Sequence, residues 1–528
     1  MSGCKKETVD VILHNGRIYT MDEEFSTAEA MAVKDGRIVA VGSNEEISEK
    51  WESEKNIDLK GEIVYPGFID AHAHFTGYAE NLYRYADLVD AASFDEVLDR
   101  LDEHDAQSND AWLCGRGWDQ NDWPGQEYPD KTELDKRWPD TPVYLVRIDY
   151  HAALVNSKAL EMAGITADSR KSGGEYVKKD GELTGVLVDN AMDDVRKLIP
   201  PLTKEQWLDA LKIAEKNLIE AGLTMVSDAG LDKEMLEWLD GFYKAGELKI
   251  RDNAMMYPTE ENYKRFLPEG PYHSDRLTIQ AVKLFGDGAL GSRGAYLLED
   301  YADDPGNRGF MLEDTAYYEK HCRKAAENGF QVCSHSIGDA SLRVLLDVYE
   351  PFVKDENDHR WRMEHAQTVH PDDVPRFGEL DVIPSIQTTH CTSDMDWARI
   401  RLGEERLKTA YVYQDLLEQT GWIINGTDFP IEEISPLYTF YAAVFRTHHD
   451  GTPKGGFQME NALSREDALR SMTIWAAKGS FDENTRGSLE TGKFADFVIL
   501  DTDLMEASPK EVLDAEVLGT WIQGEKLY

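Results

Sequence analysis

The sequence predicts an α/β protein: a (β/α)₈ barrel that carries a small β-sandwich built from both chain ends and an insertion after the first barrel strand. Three observations lead there. Eight apolar, strand-like runs alternate with segments that carry helix-capping signals. Both chain ends read instead as short strands on tight turns, and neither could bury two faces alone. The stretch from about 77 to 201 is far too long for one β-to-α connection, so it is expected to hold an inserted, Trp-rich subdomain over the barrel mouth.

Near the start, Val9, Val11 and Leu13 alternate with polar neighbours up to Asn15-Gly16, the strongest short hairpin signal, and Arg17-Ile18-Tyr19-Thr20 resumes the strand. A second hairpin turns on Asp35-Gly36. Phe497-Val498-Ile499-Leu500 and the run 517–522 supply matching strands at the other end. Residues 1–64 and 481–528 are therefore assigned to the sandwich and 65–480 to the barrel, with the insertion at about 77–201. The barrel strands are expected at 64–74, 223–228, 250–257, 277–285, 331–335, 361–365, 381–388 and 422–426. Between them, Thr203-Lys204-Glu205-Gln206 is a capping box, Asp314 caps a second helix and Ser464 a third.

The chain has 528 residues, with 100 acidic and 56 basic side chains and a formal charge of −44. That balance excludes nucleic-acid binding through a phosphate backbone, which needs clustered Lys and Arg. It also disfavours polyanionic substrates. No apolar run reaches the roughly 18 residues a membrane span needs. The partner expected is a small-molecule substrate, with a homodimer as the candidate assembly. Five cysteines without a C-x-x-C pair suggest neither a disulfide framework nor a structural zinc site. Ser2-Gly3-Cys4 is similar to the cleavage end of a bacterial lipoprotein signal, so a cell-envelope precursor is one expectation and a cytoplasmic protein the alternative.

The chemistry gathers at predicted strand ends. His72-Ala73-His74 puts two imidazoles at i and i+2, on one side of a strand, where both can reach one ion. His335 and His365 end two further strands, and Asp428 follows the last. Barrel active sites sit at that C-terminal face, and imidazole with carboxylate suits zinc, iron or manganese. Lys283 lies inside Ile279-Gln280-Ala281-Val282-Lys283-Leu284-Phe285, where burying an ammonium is costly. A desolvated, neutral lysine can react with carbon dioxide to give a carbamate, an anion able to bridge two metals. The alternatives are a lysine reaching the barrel rim or one paired with Asp287.

These motifs resemble the amidohydrolase superfamily, and within it the YtcJ-like metal-dependent hydrolases (amidohydrolase family 3). The resemblance spans nearly the whole chain and rests on Pro66-Gly67-Phe68-Ile69-Asp70-Ala71-His72-Ala73-His74, 115–121, 282–293, His335-Ser336-Ile337-Gly338-Asp339, Glu364-His365-Ala366-Gln367, Gly426-Thr427-Asp428-Phe429-Pro430 and 492–498. It implies His72, His74, Lys283, His335, His365 and Asp428 as metal ligands, with Asp428 also moving protons. Two Zn²⁺ are the cofactors it points to, with iron or manganese as alternatives and carbon dioxide for Lys283. Asp149-Tyr150-His151 departs from the pattern, where a glycine is expected before the histidine. His151, Asn156, Trp118 and Arg293 are the substrate-binding candidates; Trp112, Trp123 and Trp138 could join Trp118 in an apolar pocket, although buried tryptophan more often serves packing.

The activity implied is hydrolysis of an amide or related non-peptide C–N bond by a metal-activated hydroxide. A mononuclear heterocycle aminohydrolase is the competing enzyme. Such enzymes, by family resemblance, carry a Glu three residues after the fifth-strand histidine, and that position here is Gly338. A catalytically dead binding barrel is the third reading, disfavoured by the full ligand set.

Overall fold

The computed structural model describes residues 6–106, 110–120, 123–125, 127–148, 152–171, 174–354 and 358–528. Cys4 and the Asp149-Tyr150-His151 departure lie outside the described residues. The chain divides into two compact units, 1–75 with 215–528, and 76–214. Among the described residues no helix is long and apolar enough to cross a membrane.

The first unit contains the barrel. Its strands are β1 (Phe68–Ala73), β2 (Leu223–Leu231), β3 (Arg251–Met256), β4 (Leu277–Phe285), β5 (Gln331–Ser336), β6 (Arg362–His365), β7 (Ile383–Ile386) and β8 (Ile424–Asn425). They pair in chain order, and every pair is parallel. Two backbone hydrogen bonds then tie the last strand to the first. The N–H of Asp428 donates to His72 O at 2.8 Å, and that of His74 donates to Phe429 O at 2.8 Å. Between strands the expected helix starts are present: Asp314 caps Thr315–Glu327, Ser464 caps Arg465–Ser471, and the Thr203 and Gln206 side chains each accept the other's backbone N–H.

Three expected strands need correction. The run 64–74 divides at Gly67: Ile63–Pro66 pairs with Phe497–Leu500, and only Phe68–Ala73 enters the barrel. A Cβ at Gly67 would sit 2.2 Å from Thr224 Cγ2, so only glycine fits where the chain changes sheets. The seventh strand stops at Ile386, and Thr388 opens the helix Thr388–Leu407. The eighth is two residues long, because Gly426 packs its Cα face directly on β1.

Strands from both chain ends form two further sheets in this unit. A four-stranded sheet holds Val11–His14, Ala30–Lys34, Arg37–Gly42 and Asn56–Asp58. A six-stranded one includes Arg17–Tyr19, Ile63–Pro66, Phe497–Leu500 and Val517–Ile522. Leu13, Ile18, Val33, Val64, Phe497 and Trp521 share one buried cluster between them. The junction with the barrel is pinned by a two-pronged ion pair. Arg251 Nε and Nη2 lie 2.9 and 3.1 Å from the Asp496 oxygens, both side chains almost fully buried. Asp496→Ala would leave a buried guanidinium without its partner, which costs about 3–5 kcal/mol. Chemical denaturation should register that loss, whereas cutting the chain after Gly492 should abolish the cooperative transition altogether.

The second unit, 76–214, has its own sheet of six strands, among them Leu113–Trp118, Val143–Arg147 and Ala152–Val155. Two apolar clusters flank it: Trp118, Trp123 and Trp138 lie in one, Trp112 in the other. The indole N–H of Trp118 donates to Leu145 O, and that of Trp123 to Ala91 O. These four tryptophans are core residues of this unit, which is the packing role and not the pocket, and corrects Trp118 as a substrate-binding candidate.

Candidate metal centre

The barrel gathers all six expected ligands into one cluster at the C-terminal ends of its strands. His72 and His74 leave β1 on the same side, their ring centroids 5.8 Å apart. The ring of His365, at the end of β6, lies 4.9 Å from that of His72 and 4.5 Å from that of His335 on β5. Asp428 follows β8, with Oδ1 3.2 Å from His74 Nε2 and 3.5 Å from His72 Nε2. Lys283 on β4 completes the group, its Nζ 3.1 Å from His72 Nε2.

Lys283 is 0% exposed, so it does not reach the rim. Nor does it pair with Asp287, whose carboxylate accepts the backbone N–H groups of Tyr296, Ile337 and Gly338. Burial lowers the Lys283 pKa, against the opposing pull of Glu364 and Asp428, and so favours the neutral amine.

Local sequence explains the placement of Asp428. The carboxylate of Asp70 accepts the N–H of Thr427 at 3.1 Å, its hydroxyl at 2.7 Å and the N–H of His72 at 3.1 Å. Between them, a Cβ on Gly426 would lie 2.4 Å from His72 N, so Gly426-Thr427-Asp428 can press against β1 only with glycine there. Asp428 and His365 both adopt left-handed backbone, with φ of 62° and 72°. For residues other than glycine this costs about 1–3 kcal/mol each and persists where surrounding contacts impose it, commonly at functional sites.

His72 is oriented from behind. Glu364 Oε2 contacts its Nδ1, and Glu364 is held by Arg362 (Nε to Oε1, 2.6 Å) and by the Ser385 hydroxyl at 2.6 Å. Burial would raise Glu364, but Arg362 and the contact with His72 act together against it, and the carboxyl lies well below its usual range. The ionised Glu364 fixes the proton on Nδ1 and leaves the Nε2 lone pair facing the cluster. Glu364→Ala should therefore destabilise the fold by about 3–5 kcal/mol, since Arg362 is fully buried. The milder Glu364→Gln should weaken metal binding about 10- to 100-fold, as read by chelator competition.

Burial also sets the protonation of the rings. It brings His72 down to about 4 and His335 down to about 3. His365 lies well below its ordinary value for the same reason. All three are thus neutral, the form a metal accepts. Burial alone would raise Asp428, but the hydrogen bond from His74 and the nearby imidazoles hold it well below the carboxylate range.

His390 was not among the expected residues. It sits in the first turn of the helix after β7, its ring stacked on His365 at 5.9 Å and 14°. Its Nε2 is 3.8 Å from Asp428 Oδ2 and 3.9 Å from Glu432 Oε1. The available signal was its position just past a strand end, like the other histidines.

The donor set fits a divalent metal. His335 Nε2, His365 Nδ1 and His390 Nε2 are buried without a hydrogen bond. Orphaned buried polar atoms carry a cost that coordination would relieve. Two groups bring one donor atom per residue within 4.8 Å of one another: His72, His74 and Asp428, and His365, His390 and Asp428. Asp428 belongs to both.

The remaining substrate candidates behave differently. Asn156 is fully buried as a helix cap: its Oδ1 accepts the N–H groups of Val143 and Ala159, and its amide donates to Trp138 O and Thr141 O. Every polar atom is used in that turn, so the expected substrate contact is corrected to a structural one. Trp118 is corrected likewise, as a core residue. Arg293 pairs with Asp303 at 2.7 Å and does not line the cavity over the cluster. His151 lies outside the described residues.

The amidohydrolase family matches residues 55–528. The chain belongs to that family. Across it, the chain is 33% identical over 532 residues to YtcJ of Bacillus subtilis (strain 168), an amidohydrolase by name, covering 98% of this chain and 99% of YtcJ. It is 25% identical over 543 residues to an N-substituted formamide deformylase of Arthrobacter pascens, covering 98% of each. Among solved structures, an uncharacterized metal-dependent hydrolase from Pyrococcus horikoshii OT3 superposes with a TM-score of 0.80 at 31% identity, covering 94% of this chain and 99% of that one. The family and these neighbours support a metal-dependent hydrolase.

Proposed function

We propose that the protein hydrolyses an amide or related non-peptide C–N bond of a small molecule. The observation that carries this reading is the cluster of buried, neutral imidazoles around an ionised Asp428 and a desolvated Lys283 at the barrel's C-terminal face. His72, His74, His335, His365, Asp428 and Lys283 would hold one or two divalent ions, with His390 beside them. Bound there, zinc, iron or manganese would supply Lewis acidity and bring water towards ionisation near neutral pH.

The chain's own residues do the rest. The neutral Lys283 amine attacks carbon dioxide, forms an N–C bond and releases one proton, which leaves a carbamate anion in place of the amine. Asp428, ionised and acceptor-only, takes the proton of the attacking water and returns it to the departing nitrogen. Glu364 keeps His72 in the tautomer that faces the cluster.

The aminohydrolase alternative meets a steric obstacle. A Cβ at Gly338 would lie 2.0 Å from Tyr296 O, so the backbone leaves no room for a Glu at that position. Protein stripped and reloaded with zinc, manganese or iron should hydrolyse at least one of a set of N-substituted formamides, N-acyl amino acids and lactams. The formamides lead because a relative sharing 25% of its residues is named for deformylating them. Deamination of purines without any amide hydrolysis would reverse the order of the two readings.

A further inference from the structure

The cluster opens into a cavity of about 390 Å³. Apart from the cluster itself, its wall is mostly apolar: Phe285, Leu290, Ile337, Trp397 and Ile431. Trp397 lies flat enough on Gly291 that a Cβ there would be 3.2 Å from its ring, which fixes the indole as one wall. Ile431 is 71% exposed at the rim. The polar groups beyond the cluster are Gln367, Asp394 and Glu432.

Two of those are acids and none is a base. Glu432 accepts the Ser393 hydroxyl at 2.6 Å and stands 3.9 Å from His390 Nε2. Asp394 is held by Gln367 Nε2 at 3.0 Å and the Tyr411 hydroxyl at 2.9 Å, both on Oδ2. Among the described residues lining the cavity, Lys283 is the single Lys or Arg, and it is buried against His72. Arg293 and Arg401 flank this segment, yet both pair with Asp303. Beyond the metal held by the cluster, a substrate carboxylate or phosphate would meet two acidic side chains and no Lys or Arg free to pair with it. A substituent anion placed beside Asp394 and Glu432, away from the metal, would be buried without a partner, and like charges at short range add to that cost.

We propose that this pocket selects uncharged or cationic amides bearing one aryl or branched alkyl substituent, and that Glu432 and Asp394 act as specificity residues that reject anionic substrates. The inference rests on the amide-hydrolase reading, but it makes a separate claim about who is admitted. It also separates candidate classes that the metal chemistry alone treats alike, N-acyl amino acids being disfavoured against simple N-substituted formamides.

Three matched compounds test it on the metal-loaded full chain: N-(2-phenylethyl)formamide, the same skeleton with a carboxylate on the carbon next to nitrogen (N-formylphenylalanine), and the same skeleton with an aminomethyl group there. The neutral and cationic compounds should each exceed the carboxylate by about 10- to 100-fold in kcat/KM. In Glu432→Gln and Asp394→Asn that ratio should shrink by about tenfold or more per charge removed, with metal content measured alongside. Calorimetric titration of the same compounds gives a readout independent of turnover and should show the same order. If none is hydrolysed yet that order holds in binding, the hydrolase reading fails and the pocket inference stands. Equal handling of the carboxylate and neutral compounds, an unchanged ratio in both variants, or failure of the neutral compound to bind would overturn the inference.

Discussion

Lys283→Ala is expected to strip the centre of metal and activity together. The amine is fully buried, 3.1 Å from His72 Nε2, and burial lowers its pKa. As an ammonium it would repel a metal held by the neighbouring imidazole; as a carbamate it would contribute an anion to it. Alanine removes that anion and leaves a hole of several atoms in the innermost part of the site. Since the loss of an outer partner to a ligand typically costs 10- to 100-fold in metal affinity or activity, loss of the ligand itself should exceed about 100-fold. Short carboxylic acids should partly restore both quantities by occupying the vacated space. Bicarbonate during metal loading should help the wild type and leave Lys283→Ala unchanged. Wild-type metal content and turnover in Lys283→Ala would remove the carbamate from the account.

Asp428→Asn should separate the two functions assigned to that residue. Asparagine has nearly the same shape and keeps one oxygen for coordination, but it cannot take a proton at neutral pH. The variant should keep much of its metal and lose on the order of 10²- to 10⁴-fold in rate. His72→Ala should differ, with metal occupancy falling first. The Asp428 carboxyl is held well below its usual range, so it stays ionised until the pH drops through that low value. Any acidic limb it gives the pH profile should flatten in Asp428→Asn. Full metal with near wild-type turnover in that variant would exclude Asp428 as the base.

Much of this was legible in the sequence because the signals are local. His72-Ala73-His74 needs only the two-residue repeat of a strand to place both rings on one side. The hairpins at Asn15-Gly16 and Asp35-Gly36 likewise declare themselves through turn chemistry. Strand ends were harder, and the reasons are tertiary. Gly67 separates Ile63–Pro66 from Phe68–Ala73 because Thr224 crowds its Cα, a contact made by a residue 157 positions on. His390 escaped notice for a related reason: the run 381–388 reads as one long strand, whereas the chain turns helical at Thr388 and swings the imidazole back over His365. The roles of Glu364 and Arg362 are invisible before folding, since their partners His72 and Ser385 come from other strands. The tryptophans of the insertion left a pocket and packing both open, with packing the commoner role. The fold decides for packing: Trp118 and Trp123 each donate the indole N–H within the unit that buries them.

The central claim is that turnover depends on metal held by this cluster. Metal per chain and turnover of N-(2-phenylethyl)formamide should be measured on the same preparation, first stripped with a chelator and then reloaded stepwise. Turnover should be absent from the stripped protein, rise in proportion to metal bound, and fail to return in His72→Ala. Hydrolysis that persists in the stripped protein and ignores added metal would contradict the account.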